Sequence, residues 1–332
     1  ILGIESSCDE TGLALYSEGE GLIAHMVNSQ VELFTEYGGV IPEIAARDHS
    51  VKIINILKTL LKKADKKLND INLVAYTAGP GLIGSLMVGE TVAKTISNVL
   101  DIELLPINHL EGHILAPGLE DDNLETPYLC LLVSGGHTQI IECSDYGSYK
   151  ILGETVDDAC GEAFDKVGKL LNLDYPGGPK VSKLAAGGDP ARFNFPRALM
   201  KDRNVNFSFS GLKTAVLYAL EDLEEKDYPD VAASFQEAVV DVLVKKLAYA
   251  IEQTGIKKLV CSGGVAANRL LRERLTDMCK TSELEVSYPK MEFCTDNAAM
   301  IAYAGFIRKK YNLKEYPTKF ARPRWPLGEL YD

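Results

Sequence analysis

The sequence predicts an α/β chain built from two duplicated lobes, and three observations carry that expectation. Apolar runs of strand length alternate with helix-length amphipathic stretches, the pattern that lays helices on sheets. An order of three strands, helix, strand, helix, strand, helix is legible twice along the chain. Finally, 332 residues with 46% hydrophobic and 25% charged content suffice for two cores of ordinary size.

In the first half, residues 1–5 read as a short apolar strand running into a polar turn at 6–12. Strands over 13–16 and about 22–27 follow, with a Gly-rich turn between them. Pro42 opens a long helix whose apolar positions include Ile44, Val51, Ile54, Leu57 and Leu61. A buried-type strand at 73–76 ends in Thr77-Ala-Gly-Pro-Gly81, and a helix starts at Ile83. The strand at 102–107 leads into a helix carrying His109 and His113, with Asn108 as its cap and Glu111 placed as in a capping box. Gly112 inside that helix costs about 1 kcal/mol relative to Ala, which points to close approach of a neighbour.

The second half repeats the order. Strands are expected over 128–133, 139–143 and 149–153, then over 258–261 and 284–288, with helices over 266–279 and from about Asp296. Gly-, Pro- and charge-rich sequence at 176–237 reads as an insertion. The N-terminal lobe is therefore 1–124, joined by the C-terminal helix and tail 296–332, and the C-terminal lobe is 125–295. A pseudo-twofold relation between the halves would set His109 and His113 opposite Asp296 across a central cleft, where α/β proteins bind ligands.

Composition excludes several classes. The longest apolar stretch, 82–100, is interrupted by Glu90 and Lys94, so no membrane span is expected. Glu5, Asp9 and Glu10 come too early for a signal peptide, and the opening Ile1 implies residues ahead of it. Seven cysteines, never spaced Cys-x-x-Cys and several of them in apolar strands, suggest buried thiols in a reducing cytoplasm. A net charge of −12 opposes binding of nucleic acid by bulk electrostatics. Local basic patches remain: Arg308, Lys309, Lys310, Lys314, Lys319, Arg322 and Arg324 against Glu315, and a weaker run through Arg192, Arg197, Lys201 and Arg203.

Two constellations carry chemistry. His109 and His113, four apart, share a helix face, and Asp296 would complete a set of two His and one carboxylate with positions open for substrate. The same residues have plainer uses, the His pair as a cap or a partly buried pair and Asp296 as the N-cap of its helix. The His-Glu-x-x-His protease pattern is absent, since Leu110 stands at its Glu position. Ser134-Gly-Gly136 and Ser262-Gly-Gly264 end strands in equivalent places of the two halves and present bare N–H groups suited to phosphate. Asn268, in the first turn of its helix, is placed to reach a base or ribose. Either Gly pair also serves as a simple tight turn. Walker and Gly-x-Gly-x-x-Gly patterns do not occur.

Together these motifs resemble one family, the TsaD (Gcp) type of tRNA N6-adenosine threonylcarbamoyltransferase. The resemblance runs through Gly3-Ile-Glu-Ser-Ser-Cys-Asp-Glu-Thr11, Ala78-Gly-Pro-Gly-Leu82, His109-Leu-Glu-Gly-His113 and Leu132-Val-Ser-Gly-Gly-His-Thr138. It continues through Gly161-Glu-Ala-Phe-Asp-Lys166, Tyr175-Pro-Gly-Gly178, Phe207-Ser-Phe-Ser-Gly-Leu-Lys213, Cys261-Ser-Gly-Gly-Val-Ala-Ala-Asn-Arg269, Phe293-Cys-Thr-Asp-Asn297 and Arg322-Pro-Arg-Trp325. His137 and Leu132 resemble the bacterial branch.

The resemblance implies an actin-like ATPase fold, shared with sugar kinases and heat-shock chaperones, of two ribonuclease-H-like lobes around a central cleft. It implies transfer of threonylcarbamoyl from threonylcarbamoyl-adenylate to N6 of the adenosine 3′ of the anticodon, in tRNAs reading codons that begin with A. It assigns His109, His113 and Asp296 to one metal, Fe²⁺ or Zn²⁺. Leu132, Val133, Ser134, Gly135, Gly136, Asp165, Gly178 and Asn268 would hold the adenylate. Asp9 or Glu10 is placed to accept the amine proton or to support the metal ligands. Implied partners are tRNA and TsaB-like and TsaE-like proteins, with the helix from Pro42 as a docking face that keeps surplus apolar surface. Rival readings are a metallo-endopeptidase (glycoprotease), which needs a base such as Glu111 at the metal, a Mg²⁺-dependent kinase or ATPase, and a scaffold without catalysis.

Overall fold

The computed structural model describes all residues except 122, 123, 202, 222, 318 and 332. The chain divides into two compact units, one of residues 1–124, 145–149 and 289–332, the other of 125–144 and 150–288.

The first unit opens with β1 (Leu2–Glu5), β2 (Glu10–Ser17) and β3 (Gly21–Ser29). The β1–β2 ladder runs as far as Glu5 opposite Gly12, so the polar turn shrinks from the expected 6–12 to 6–9. A short α1 (Val31–Thr35), not expected from the sequence, precedes α2 (Pro42–Lys63). Then come β4 (Leu73–Gly79), α3 (Ile83–Leu100), β5 (Glu103–Asn108) and α4 (His109–Leu115). The sheet order is β3-β2-β1-β4-β5, with β1, β4 and β5 parallel. Both β1 and β4 are buried along their whole length, as interior parallel strands covered on both faces should be.

The inner face of α2 differs from expectation. Ala45, His49, Ile53, Ile56, Leu57 and Leu60 are buried, whereas Val51 and Ile54 are 67% and 44% exposed. His49 holds a core position because its ring is satisfied there. Its Nε2 lies 2.9 Å from the Cys8 carbonyl and Nδ1 lies 2.7 Å from the Thr11 hydroxyl. Burial lowers its pKa, which keeps it neutral and ties α2 to the 6–9 turn.

The second unit contains β6 (Tyr128–Val133) and most of β7 (Thr138–Asp145) and β8 (Ser148–Glu154), whose joining residues 145–149 belong to the first. It continues with α5 (Cys160–Leu170), α6 (Gly177–Ala185), α7 (Ser210–Leu220) and α8 (Tyr228–Thr254). It closes with β9 (Lys258–Ser262), α9 (Arg269–Ser282) and β10 (Glu285–Ser287). Its order, β10-β9-β6-β7-β8, is the first sheet's order again, counted from the opposite edge. Each sheet is thus third-second-first-fourth-fifth, and the repeated α/β pattern is an actin-like, ribonuclease-H-like duplication. The region expected as an insertion is largely helical. Val181, Leu212, Val216 and Val231 from α6, α7 and α8 bury in one core with α5, so apolar spacing outweighs the Gly- and Pro-rich composition.

The chain then returns to the first unit as α10 (Ala298–Lys310), packed on β1, β2, β4 and α4. It lies very close. A Cβ on Gly3 would stand 2.4 Å from the Ala298 carbonyl oxygen, and one on Gly112 would stand 2.9 Å from Ile301 Cδ1. This is the neighbour that Gly112 admits.

The first turn of α7 takes its acceptor from outside the helix. Asp157 accepts from the Ser208 and Ser210 hydroxyls at 2.5 and 2.8 Å and from the Phe209 and Ser210 N–H groups. Partial burial pushes this carboxyl up, but the four donors outweigh it and hold the pKa below 3.8. A depressed carboxylate stabilises the fold fully above its unfolded pKa, and that share is lost as pH falls through the folded value. Asp157→Asn should therefore show a shallower loss of urea-denaturation midpoint than the parent between about pH 6 and about pH 3. Identical acid limbs would exclude this role.

Candidate metal centre and glycine turns

Helix α4 starts directly at the end of β5, so His109 emerges at a parallel strand's carboxyl end. Asn108 caps it, its Oδ1 accepting from Leu110 and Glu111 N–H at 2.9 and 3.3 Å. The capping box is not formed, because Glu111 is drawn to the opposite side of the helix by Arg308. One turn apart, the His109 and His113 rings lie 4.8 Å apart and nearly perpendicular, at 89°. Both Nε2 atoms face Asp296 Oδ1, at 3.4 and 3.0 Å. The three candidate ligand atoms lie within 4.8 Å of one another.

One plainer reading falls away here. Asn297, not Asp296, caps α10, its Oδ1 accepting from Met300 N–H at 3.0 Å. That leaves the Asp296 carboxylate to the imidazoles. The pseudo-twofold expectation that sets His109 and His113 opposite Asp296 across a central cleft is also corrected, since all three belong to the first unit. The cause is the seating of α10 on the first sheet.

No sequence signal pointed to the residues behind His109. Glu5, fully buried, accepts from Ser7 N–H and the Thr77 hydroxyl at 2.6 Å each, and its Oε2 lies 3.0 Å from His109 Nδ1. Ser7 Oγ is 3.2 Å from the same nitrogen. In the neutral ring, a proton on Nδ1 directed at Glu5 would leave Nε2 free as a ligand atom, the arrangement that fixes tautomer and ring in metal sites. Burial pushes Glu5 up, but His109 outweighs it and the pKa is lowered. Burial likewise works against a charged His109, yet Asp296 and Glu5 hold it well above 6.5. Asp296 is raised by burial and pulled far below the carboxylate range by His109 and His113. Such a cluster calls for positive charge at its centre. Two imidazole nitrogens and one carboxylate oxygen, converging from one side and backed by Glu5, fit a first-row divalent ion such as Fe²⁺ or Zn²⁺. His113 Nδ1 is buried without a partner.

Asp9 is buried in the 6–9 turn and Glu10 begins β2. Burial, followed by the charges of Asp296 and Asp9, raises the Glu10 pKa well above 4.5. Burial and Asp9 push the Cys8 thiol up, so it is no thiolate nucleophile. Among the described residues, which include all seven cysteines, there is no disulfide.

The residues expected to hold an adenylate are linked within the second unit. Ser134, Gly135 and Gly136 form the β6–β7 hairpin turn, closed by Ser134 N–H to the His137 carbonyl at 2.8 Å. The other Gly pair follows β9, the parallel neighbour of β6. The two turns therefore end adjacent strands of one unit and are not equivalents in two halves. They touch: a Cβ on Gly263, which has φ +93°, would stand 2.4 Å from the Val133 carbonyl. Gly161 N–H donates to the Ser134 carbonyl at 3.1 Å, and Asp165 Oδ1 accepts from Gly177 N–H at 2.7 Å. Gly178 follows in the first turn of α6. Asn268 is the N-cap of α9, which starts at Arg269 after a 3₁₀ turn and not at Ala266 as expected. Its Nδ2 donates to Ser182 Oγ and Gln236 Oε1 at 2.8 Å each. Leu132 and Val133 are fully buried in β6, so their side chains face the core. Side chains added at Gly135 or Gly136 would meet nothing within 4 Å.

The basic patches are thinner than the sequence suggested. Arg192 pairs with Asp227 and Asp230, Arg197 with Asp241 and Arg203 with Glu252. Arg308 is buried against Glu111, and Lys309 pairs with Glu103. Lys310, Lys314, Lys319 and Arg324 remain exposed. Among the described residues, no helix is long and apolar enough to cross a membrane.

A family model described as TsaD, tRNA N6-adenosine threonylcarbamoyltransferase, matches residues 21–303. Among solved structures, HypF from T. kodakarensis is similar with a TM-score of 0.65 and 16% identity, over 95% of this chain and 48% of that one. A full-length HypF in its phosphate- and nucleotide-bound form gives 0.62 and 14%, over 94% and 47%. The chain thus spans about half the length of the HypF chains it matches. Component A of (R)-2-hydroxyglutaryl-CoA dehydratase from Acidaminococcus fermentans gives 0.53 and 15%, over 91% and 95%. At such identities the likeness shows the fold, that of actin-like ATPases.

His109→Ala combined with His113→Ala should abolish stoichiometric binding of Zn²⁺ or Fe²⁺ while leaving the circular dichroism spectrum and cooperative melting intact. Full metal occupancy in the folded double variant would rule out the assignment.

Proposed function

This chain belongs to the TsaD family of tRNA N6-adenosine threonylcarbamoyltransferases, transferases that act on tRNA, and we propose that it carries threonylcarbamoyl from threonylcarbamoyl-adenylate to N6 of the adenosine 3′ of the anticodon. The substrates are tRNAs reading codons that begin with A. The observation that carries this reading is the convergence of His109, His113 and Asp296 with Glu5 behind them, in a chain of this family. It is a bacterial-type, cytoplasmic acyltransferase on this reading.

The donor is a mixed anhydride with an electrophilic carbonyl and AMP as leaving group, while the adenine amine is a weak nucleophile. Bound by His109, His113 and Asp296, iron or zinc would supply Lewis acidity toward that carbonyl. Glu5 keeps His109 in the tautomer with Nε2 unprotonated. The open backbone of Gly135 and Gly136 receives the adenylate phosphate and steadies the charge left on it. Asp165, Gly178 and Asn268 surround the nucleoside, and Leu132 and Val133 contribute the strand end that carries the turn. As the N6–carbon bond forms and the carbonyl–phosphate bond breaks, the amine proton passes to Asp9, since burial and neighbouring acids resist ionisation of Glu10, and AMP leaves.

Partners on this reading are tRNA and TsaB-like and TsaE-like proteins. Exposed Val51 and Ile54 on α2, with Ile83 and Met87 exposed on the neighbouring α3, form an apolar face suited to a TsaB-like subunit. The endopeptidase reading loses its base, because the Glu111 carboxylate is occupied by Arg308, Tyr149 and Tyr316.

The direct test incubates the purified chain with threonylcarbamoyl-adenylate and tRNA, with and without a bacterial extract, and measures the modified nucleoside by mass spectrometry. Product that depends on the extract is expected; absence of product under both conditions would refute the reading. Gly135→Val should fold normally and bind adenylate at least about tenfold more weakly, a loss of about 1.4 kcal/mol. Arg324→Glu should weaken tRNA binding and flatten its salt dependence, by about one unit of slope for each phosphate left without its cation.

A further inference from the structure

We propose that the C-terminal tail, residues 311–331, and the metal set are energetically coupled through Glu111 and Asn108, so that docking of the tail and binding of the metal strengthen one another. This rests on the reading that His109, His113 and Asp296 hold a divalent metal.

Helix α4 has only seven residues, all buried, and a helix below about 12 residues does not sustain itself. Its orientation must come from its neighbours. Glu111 lies midway between the two histidines in sequence and therefore about 200° around the helix from each, on the opposite face. There its Oε1 accepts from Tyr149 OH and Arg308 Nη1 at 3.0 Å each, and Oε2 accepts from the Tyr316 hydroxyl. Arg308 stacks 3.8 Å over the Tyr316 ring and donates to the Lys314 carbonyl, and Tyr316 packs edge-on against Trp325 at 4.6 Å.

The tail grips α4 a second time at its cap. Asn108, whose Oδ1 starts the helix, donates from Nδ2 to the Trp325 carbonyl at 2.9 Å. Between these grips, Arg322 N–H bonds the Ala78 carbonyl at 2.6 Å and Gly81 N–H bonds the Pro323 carbonyl at 3.1 Å. The next residue, Leu82, bonds the Ser7 carbonyl at 2.8 Å, and Ser7 reaches His109.

Rotation of α4 about its axis is thus set from behind by its buried ion pair with Arg308 of α10, to which the tail adds the Tyr316 hydroxyl and the Lys314 carbonyl. Freeing Glu111 from Arg308 and Tyr316 lets the helix turn, and the two Nε2 atoms no longer converge. A tie of this kind acts in both directions by linkage, so an ion that fixes the histidines also favours the docked tail. Glu111 is a positioning residue here: it touches neither the ion site nor Asp296.

The test uses the full chain and Zn²⁺ alone. In competition with a chromogenic chelator, Glu111→Gln should bind Zn²⁺ about 10–100-fold more weakly, the usual effect of losing a residue that orients a ligand. Tyr316→Phe, which removes only the tail-side hydroxyl, should weaken it several-fold and decides the matter if Glu111→Gln does not fold. In the parent, Zn²⁺ should slow tryptic cleavage after the exposed Lys319 and Arg324 and shift the emission of Trp325, the only tryptophan. In Tyr316→Phe the protection should shrink. Parent-like Zn²⁺ affinity in the folded variants, or a tail cleaved equally fast with and without Zn²⁺ bound to the parent, would overturn the coupling alone. A parent chain that binds no Zn²⁺ would instead overturn the metal reading beneath it.

Discussion

The close seating of α10 on the first sheet is the constraint on which the metal set depends. Between Gly3 and Ala298 there is no room for even one methyl group, and Gly12 stands in the same relation, 2.9 Å from the Ala298 nitrogen to its notional Cβ. The helix therefore starts directly above the carboxyl end of β1. Residues just before it, Asp296 and Asn297, arrive where Glu5 ends its strand and where α4 begins. Any side chain at Gly3 would lift α10 and carry Asp296 away from the imidazoles. Overpacking of this kind costs about 1–3 kcal/mol in a core, and here the displacement itself matters more than the energy.

Given that seating, charge organises the rest. Glu5 and Asp296 face the imidazoles, and Glu10 feels the charges of Asp296, Asp9 and Glu5. The carboxylates do different things because their surroundings differ. Glu5 is saturated by hydrogen-bond donors and sits behind a histidine. Asp296 faces both rings. Glu10 has neighbouring acids and few donors, so its charge is resisted. One short stretch of strand and turn thus yields a supporting carboxylate, Glu5, and a carboxyl whose ionisation is resisted, Glu10, while the candidate ligand Asp296 comes from the segment before α10.

Much of this was legible in the sequence. The apolar runs and turn residues located nearly every strand, and the doubled order of elements anticipated two sheets with one topology. His109 and His113 declared a shared face through their spacing alone. What stayed hidden depends on contacts between distant segments. Asp296 and Asn297 are both good caps, and only the placement of α10 assigns the cap to Asn297. Glu5 looks like an ordinary end of a strand until His109, 104 residues away, is set beside it. Helices α6 and α7 were obscured by the composition around them, and the start of α7 relies on Asp157, 53 residues from Ser210. The arginines near residue 200 counted as free charge in the sequence, whereas carboxylates on and before α8 neutralise them.

The cysteines have a consequence of their own. Cys130, Cys160 and Cys261 are buried in the second unit, and burial pushes the Cys130 and Cys160 thiols well up from their ordinary range. Cys294 is buried in the first unit. None of these sulfurs meets an alkylating reagent while its surroundings stay closed, and each becomes an ordinary thiol once they open. The chain therefore carries a native clock of its own breathing, in which the order of alkylation reads out which unit loosens first.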